Sequence, residues 1–347
     1  MTRRHAIKSA KPSREAKPSR RVAMVGVAIT AVVVVAVASW AVRSRSRPPP
    51  RDEVAEALAR GEAARAERAL IRACRLAPAD PEPWLLRLEI LRVEDRQVEA
   101  QRVGWQAYRA VADRDRRFVL RAMTLALLAD TPEDLARSTL ARWVEADPGD
   151  VDAQVALIQR IAASPRGGDP DRAARVASLS RIVAAHAEHV EAREALVLAL
   201  ADSGDPDRGR AVLEAWPEAG RDARYHRLRG RWDLEYDRAP ARAIESFRAS
   251  LGELPQDWRT CSRLARALRN SGKIADANRA AVAVERLREA LDPLTMGHRL
   301  DRDLAALDEA KSRFDLGDLC ERAGLKRLAE AWRRDAEMPA IDPLRKP

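Results

Sequence analysis

Aromatic side chains are scarce: three Phe, three Tyr and eight Trp make up 4% of 347 residues. β-Branched residues are also sparse outside one stretch near the N-terminus, which leaves little to build strands from. Cysteine is limited to Cys74, Cys261 and Cys320, far apart and without CxxC or Cys/His spacing, which excludes the usual zinc frameworks. They read as three small apolar core residues, with a disulfide between two of them as the alternative outside the cytoplasm. Of five histidines, His5 falls in a basic tail, His226 and His298 are isolated, and only His186 and His189 are neighbours at a spacing of three. Glu188 and Glu191 are near, but no third well-placed ligand is in view, so AAHAEHVEA reads as a solvated polar turn. Phosphate loops, nucleophile elbows and HExxH motifs are missing, and Gly167-Gly168 lies between helical stretches with no preceding strand. The expectation is a protein without catalytic residues, cofactor or metal.

Ala, Leu and Arg are abundant, and each loses little rotamer freedom in a helix, so the chain is expected to be all-α. The formal net charge of +10 suggests a nucleic-acid binder, but its distribution does not. Residues 1–21 carry +7 and residues 43–51 carry +4, leaving −1 for residues 52–347. The excess flanks one segment, and no nucleic-acid partner is expected.

That segment is residues 22–42, VAMVGVAITAVVVVAVASWAV, without a single charge. At ~1.5 Å of rise per residue, such a length spans about 30 Å, the thickness of a bilayer's hydrocarbon core. Trp40 suits the interfacial belt, and the heavier basic flank on the N-terminal side places residues 1–21 in the cytoplasm. Ala36-Val37-Ala38 also resembles a cleavage site, but the apolar run continues to Val42, so an uncleaved inner-membrane anchor is expected. Residues 43–50 end in three prolines and read as a stiff spacer, with the following domain on the extracytoplasmic side.

From residue 51 onward, small and large apolar residues recur in helical pairs. In 258–291, Leu264, Ala265 and Leu268 precede Gly272 in the turn SGKIADA, and Ala277 and Ala281 follow it. Before it, Tyr225, Leu228 and Trp232 are spaced for a helix, then Ala243, Phe247 and Leu251 run to Pro255. Gly61, Ala66, Leu70, Ala73, Leu76 and Pro78 repeat the pattern, as do Ala136, Leu140 and Pro148. Leu316, Gly317, Cys320, Gly324, Ala329 and Ala336 repeat it near the C-terminus. The pattern weakens over 151–220 and slips at 100–125 and 285–310.

These residues resemble the tetratricopeptide repeat family, with a unit of ~34 residues made of two antiparallel helices. The resemblance implies an α-α superhelical solenoid of about seven units over 51–338, followed by a tail at 339–347. Trp84, Trp105, Trp143, Trp232, Trp258 and Trp332 are then expected where units pack. A superhelix of stacked pairs presents a concave groove, and the implied role is a membrane-tethered scaffold or assembly factor holding a protein or peptide partner. An accessory subunit of an envelope enzyme or secretion complex is the alternative, and an anionic-lipid binder acting through the basic tail is a third reading. By the family's geometry Arg259, Arg266 and Arg269 lie on the inner face of their helix, either as a solvated basic face or as a grip for an acidic segment or C-terminal carboxylate.

Overall fold

The computed structural model describes residues 50–163 and 172–338. The expected span 22–42, the basic tail 1–21, residues 43–49 of the spacer and the tail 339–347 lie outside the described residues. Among the described residues no helix is long and apolar enough to cross a membrane.

Seventeen α-helices account for the described chain, with no strand among them. The first four are α1 (Pro50–Arg60), α2 (Ala63–Leu76), α3 (Pro81–Val93) and α4 (Gln97–Ala110). Then come α5 (Arg116–Leu128), α6 (Glu133–Ala146), α7 (Val151–Ala163) and α8 (Arg172–Ala185). The middle holds α9 (Val190–Asp202), α10 (Pro206–Glu214), α11 (Ala223–Glu235) and α12 (Pro240–Glu253). The last are α13 (Trp258–Asn270), α14 (Ile274–Ala290), α15 (Pro293–Ala305), α16 (Ala310–Arg322) and α17 (Lys326–Glu337).

Local chemistry sets where these helices start and turn. Asp80, Asp205, Asp222, Asp257 and Asp292 each precede a helix and accept a backbone N–H from its first turn, satisfying a donor the helix cannot. Proline follows Asp80, Asp205 and Asp292 at the first helical position, where its missing N–H costs nothing. Six of the hairpin turns pass through a left-handed residue: Gly61, Gly204, Gly272 and Gly324, with Asp95 and Arg238 in the same role at φ 58° and 51°.

Six sequential pairs pack as hairpins: α1/α2, α3/α4, α9/α10, α11/α12, α13/α14 and α16/α17. Their crossings are close at small residues. A Cβ built on Gly230 of α11 would meet the Phe247 ring of α12 at 2.7 Å. The slip of the repeat pattern over 100–125 has its counterpart at α5. This helix packs on α3 and α4, but α6 turns away to pack on α7. The sequence RRFVLRAMTLALL is apolar on most sides, with Val119, Leu120, Met123, Ala126, Leu127 and Leu128 all buried, so a single neighbouring pair cannot cover it. The C-terminal helix α17 supplies the missing cover. One apolar cluster therefore joins Trp84, Leu91, Leu120 and Met123 to Leu316, Leu328 and Trp332.

Polar contacts fix this closure. Trp332 Nε1 donates to Thr124 Oγ1 at 2.9 Å. Asp335 lies between two buried guanidiniums, 3.0 Å from Arg117 Nε and 3.1 Å from Arg313 Nε. The expected core role holds for Trp84, Trp105, Trp143, Trp232 and Trp332, each 8% exposed or less. Trp258 is the exception, half-buried against the interior space described next. Trp216, unassigned by the repeat pattern, is buried beside Trp232.

Candidate functional site

The concave face holds a partly open chamber of about 1070 Å³. Its wall is contributed by the α3–α4 turn, α7, α9, α11 and the segment from α12 to α16. At one place Val98, Ala223 and Leu254 form a small apolar contact that joins α4, α11 and the end of α12 directly.

Much of the wall is a chain of paired charges. Arg96 Nη1 lies 2.8 Å from Glu67, 2.9 Å from Glu94 and 3.5 Å from Asp152. Asp152 Oδ1 is 3.2 Å from His189 Nε2, and His189 Nδ1 is 3.5 Å from Glu191. Glu191 pairs with Arg224, which also holds Asp222 at 2.6 Å. Arg227 pairs with Glu194 and reaches Asp257 at 3.4 Å, while Asp257 accepts the backbone N–H of Thr260 at 3.0 Å and caps α13. Arg227 keeps 32% of its side-chain surface although protein surrounds it, because that surface faces the chamber.

Burial and charge pull these groups in opposite directions. Burial pushes the Glu94 carboxyl well up, against the opposing charge of Arg96. Burial also favours a neutral Asp152, but the His189 hydrogen bond and the Arg96 charge outweigh it and hold that carboxyl low. His189 answers in kind: burial disfavours its cation, and the bond to Asp152 with the charges of Asp152 and Glu191 raises it nonetheless.

Asp152, His189 and Glu191 are the one group among the described residues whose ligand atoms lie within 4.8 Å of one another. An imidazole with two carboxylates is a donor set that suits zinc. Every member is already engaged, however. His189 Nδ1 accepts the Ala192 N–H at 3.2 Å as the cap of α9, its Nε2 faces Asp152, and Glu191 holds Arg224. The sequence places both His186 and His189 in a solvated turn; the structure keeps His186 exposed and corrects His189, which is drawn into the charge network by its capping position.

The three arginines singled out from the sequence do not converge. Arg259 lines the chamber, its guanidinium 5.0 Å over the Trp258 ring. Arg266 points elsewhere and bonds Glu235 Oε1 at 2.8 Å, and Arg269 is exposed at the last turn of α13. Sequence spacing alone does not single out Arg96, Arg224 or Arg227, and it places Glu191 only beside the histidines. One signal was available: the pairs Glu191–Arg224 and Glu194–Arg227 share a separation of 33 residues, close to one repeat length. Charges at equivalent positions of successive first helices thus meet across the wall.

Burial also removes the thiols from consideration as nucleophiles. Cys74 and Cys320 are pushed up to about 12, and Cys261 is raised for the same reason.

An array of helical hairpins around a polar chamber defines an α-α repeat architecture. Residues 167–231 match the sequence model of the tetratricopeptide repeat family. The solved structures to which the chain is similar are distant. A chain of the APC/C hetero-tetramer Cut9–Hcn1 is 14% identical over 82% of this chain and 51% of that one, with a TM-score of 0.33. This chain therefore spans about half the length of that relative. Human IFIT1, as a dimer with PPP-AAAA, is 13% identical over 84% of this chain and 91% of its own, with a TM-score of 0.32. No curated protein matches.

Proposed function

We infer that the chain is a membrane-tethered scaffold, holding a repeat array on the extracytoplasmic side of the inner membrane for a protein partner. The observation that carries this reading is the split within one sequence. An uncharged run at 22–42 sits between flanks of +7 and +4, and the near-neutral remainder contains the tetratricopeptide segment. The chain serves as an assembly factor or as the accessory subunit of an envelope complex, without catalysis of its own.

Partner contact is assigned to the outer rim of the array, because many of the inner-wall charges already pair with one another. Arg266, half-exposed at 51% of its side chain, and Arg269 belong to that rim. Crosslinking in membranes with the segment 22–42 intact should recover an extracytoplasmic partner, and Arg266→Glu with Arg269→Glu should reduce that recovery. Equal recovery with the double variant would remove those residues from the contact. Recovery of cytoplasmic proteins alone, with protease protection of the array from outside, would overturn the topology.

A further inference from the structure

Three turns that lead from one hairpin to the next carry a proline. Aligned on Pro78, Pro148 and Pro255, they read LAPA at 76–79, ADPG at 146–149 and ELPQ at 253–256. In the α6–α7 turn the exposed chain is polar, with Asp147 accepting the Gly149 N–H at 3.0 Å. In the α12–α13 turn the apolar residues are covered. Leu254 is buried against Val98 and Ala223, and a Cβ built on Gly324 would lie 3.3 Å from Pro255. The α2–α3 turn is both apolar and bare. Leu76 is 75% exposed, and Ala77, Pro78 and Ala79 are exposed with it.

This bare turn is held in one shape. The Ala77 N–H donates to the Ala73 carbonyl at 2.9 Å, and the Asp80 N–H donates to the Ala77 carbonyl at 3.1 Å. Trp84 Nε1, from the next helix, donates to the Pro78 carbonyl at 3.0 Å. A surface fixed before contact loses little conformational freedom on docking. The charges on either side have both signs, Arg72 and Arg75 before the turn and Asp80 and Glu82 after it. What the turn offers is therefore apolar area.

Its place in the chain says what covers it. The α1/α2 hairpin is antiparallel, and Arg72 Nη2 lies 2.5 Å from Glu53 Oε2, so the end of α2 lies beside the start of α1. Only residues 43–49 separate α1 from the uncharged run 22–42. At ~3.3–3.6 Å per residue, that connection reaches at most about 25–30 Å even when fully extended. The bare turn is thus at the end of the first hairpin that the tether enters.

We propose that residues 76–79 dock into the interfacial region of the bilayer that holds the anchor, with Leu76 as the inserted side chain. Apolar residues on a fixed surface gain by leaving water at the headgroup boundary, in proportion to the area buried. Docking there would give the array a second attachment and set its orientation on the membrane. The proposal rests on the reading of residues 22–42 as an anchor.

Lipid-phase quenching tests it. The full chain is reconstituted into vesicles of phosphatidylcholine and phosphatidylglycerol in equal parts, with a fluorophore on Ala79→Cys and a nitroxide on the lipid acyl chains. The native cysteines are buried, and Ala79 is exposed, so the label falls on the new thiol. Strong quenching is expected at Ala79. Little is expected from Ala59→Cys, exposed at the other end of the same hairpin, a helix length of ~20 Å away. Adding Leu76→Asp should cut the quenching at Ala79 about twofold or more, as apolar area leaves the interface. Circular dichroism checks that each variant is folded. A chain that alkaline extraction strips from the vesicles refutes the anchor, and the docking with it. A chain that stays inserted refutes the docking alone if Ala79 is unquenched, is quenched no more than Ala59, or is unaffected by Leu76→Asp. Shielding of Ala79 that grows with the protein-to-lipid ratio, without lipid quenching, assigns the turn to a second copy and also refutes it.

Discussion

The indole nitrogen of Trp332 donates to the Thr124 hydroxyl at 2.9 Å across 208 residues of sequence. Both residues are fully buried, and the bond joins the last helix to α5, a helix that the hairpin pairs leave over. Beside it, Asp335 serves two arginines from two other helices. The closure depends on Asp335 as much as on the apolar faces, since removing it leaves buried Arg313 without a carboxylate and buried Arg117 with only the exposed Asp308 at 3.5 Å. Asp335→Ala should therefore lower unfolding free energy in urea by ~3–5 kcal/mol, the cost of breaking a buried ion pair by deleting one partner. Trp332→Phe keeps most of the packing and should cost only about 1 kcal/mol, a single hydrogen bond.

Arg238 is exposed, stands at φ 51° in the α11–α12 turn, and occupies the place glycine holds in four other turns. A side chain in the left-handed region carries a penalty of ~1–2 kcal/mol, part of which glycine returns as lost chain entropy. Arg238→Gly should thus raise stability by about 0.5–1 kcal/mol in the same urea titration. The opposite sign is expected at Gly230, where a methyl group would lie 2.7 Å from the Phe247 ring. Gly230→Ala should destabilise by ~1–3 kcal/mol, as overpacking does.

His189 supplies a pH dependence with a definite sign. Its folded-state value is raised, chiefly by Asp152 against the effect of burial. Protonation therefore favours the folded state, the attraction of Asp152 and Glu191 outweighing loss of the Nδ1 acceptor for the Ala192 N–H, with the contribution complete below the unfolded value of ~6.5 and lost as pH rises through the folded value. Urea midpoints should fall between pH 6 and pH 8, by a margin that shrinks in His189→Asn, which retains a capping side chain. An unchanged slope in that variant would mean another group titrates there.

Much of the local architecture was legible from residue type alone. Gly272 and Gly324 mark their turns because only a left-handed residue closes those hairpins, and Leu264, Leu268 and Phe247 mark buried faces by spacing. The closure was not legible. Nothing near Thr124 announces a partner in the last helix, and the surplus apolar surface of α5 is visible only once α6 is seen to turn away. Site residues failed for a related reason. Arg259, Arg266 and Arg269 were chosen by the face of one helix, whereas the wall is built from charges one repeat apart, such as Glu194 and Arg227. Trp258 fitted a packing position by spacing, but the chamber on its other side keeps it half-buried.

Electron–electron distance measurement between spin labels at Phe118→Cys on α5 and Glu330→Cys on α17 addresses closure most directly. Both sites are exposed, and the native cysteines are buried with raised thiols, so labelling falls on the new positions. Packed helices lie ~8–10 Å apart, so with the label tethers a single narrow distribution below about 30 Å is expected. A broad distribution centred far beyond that distance would mean that α17 does not cover α5 and that the array is open there.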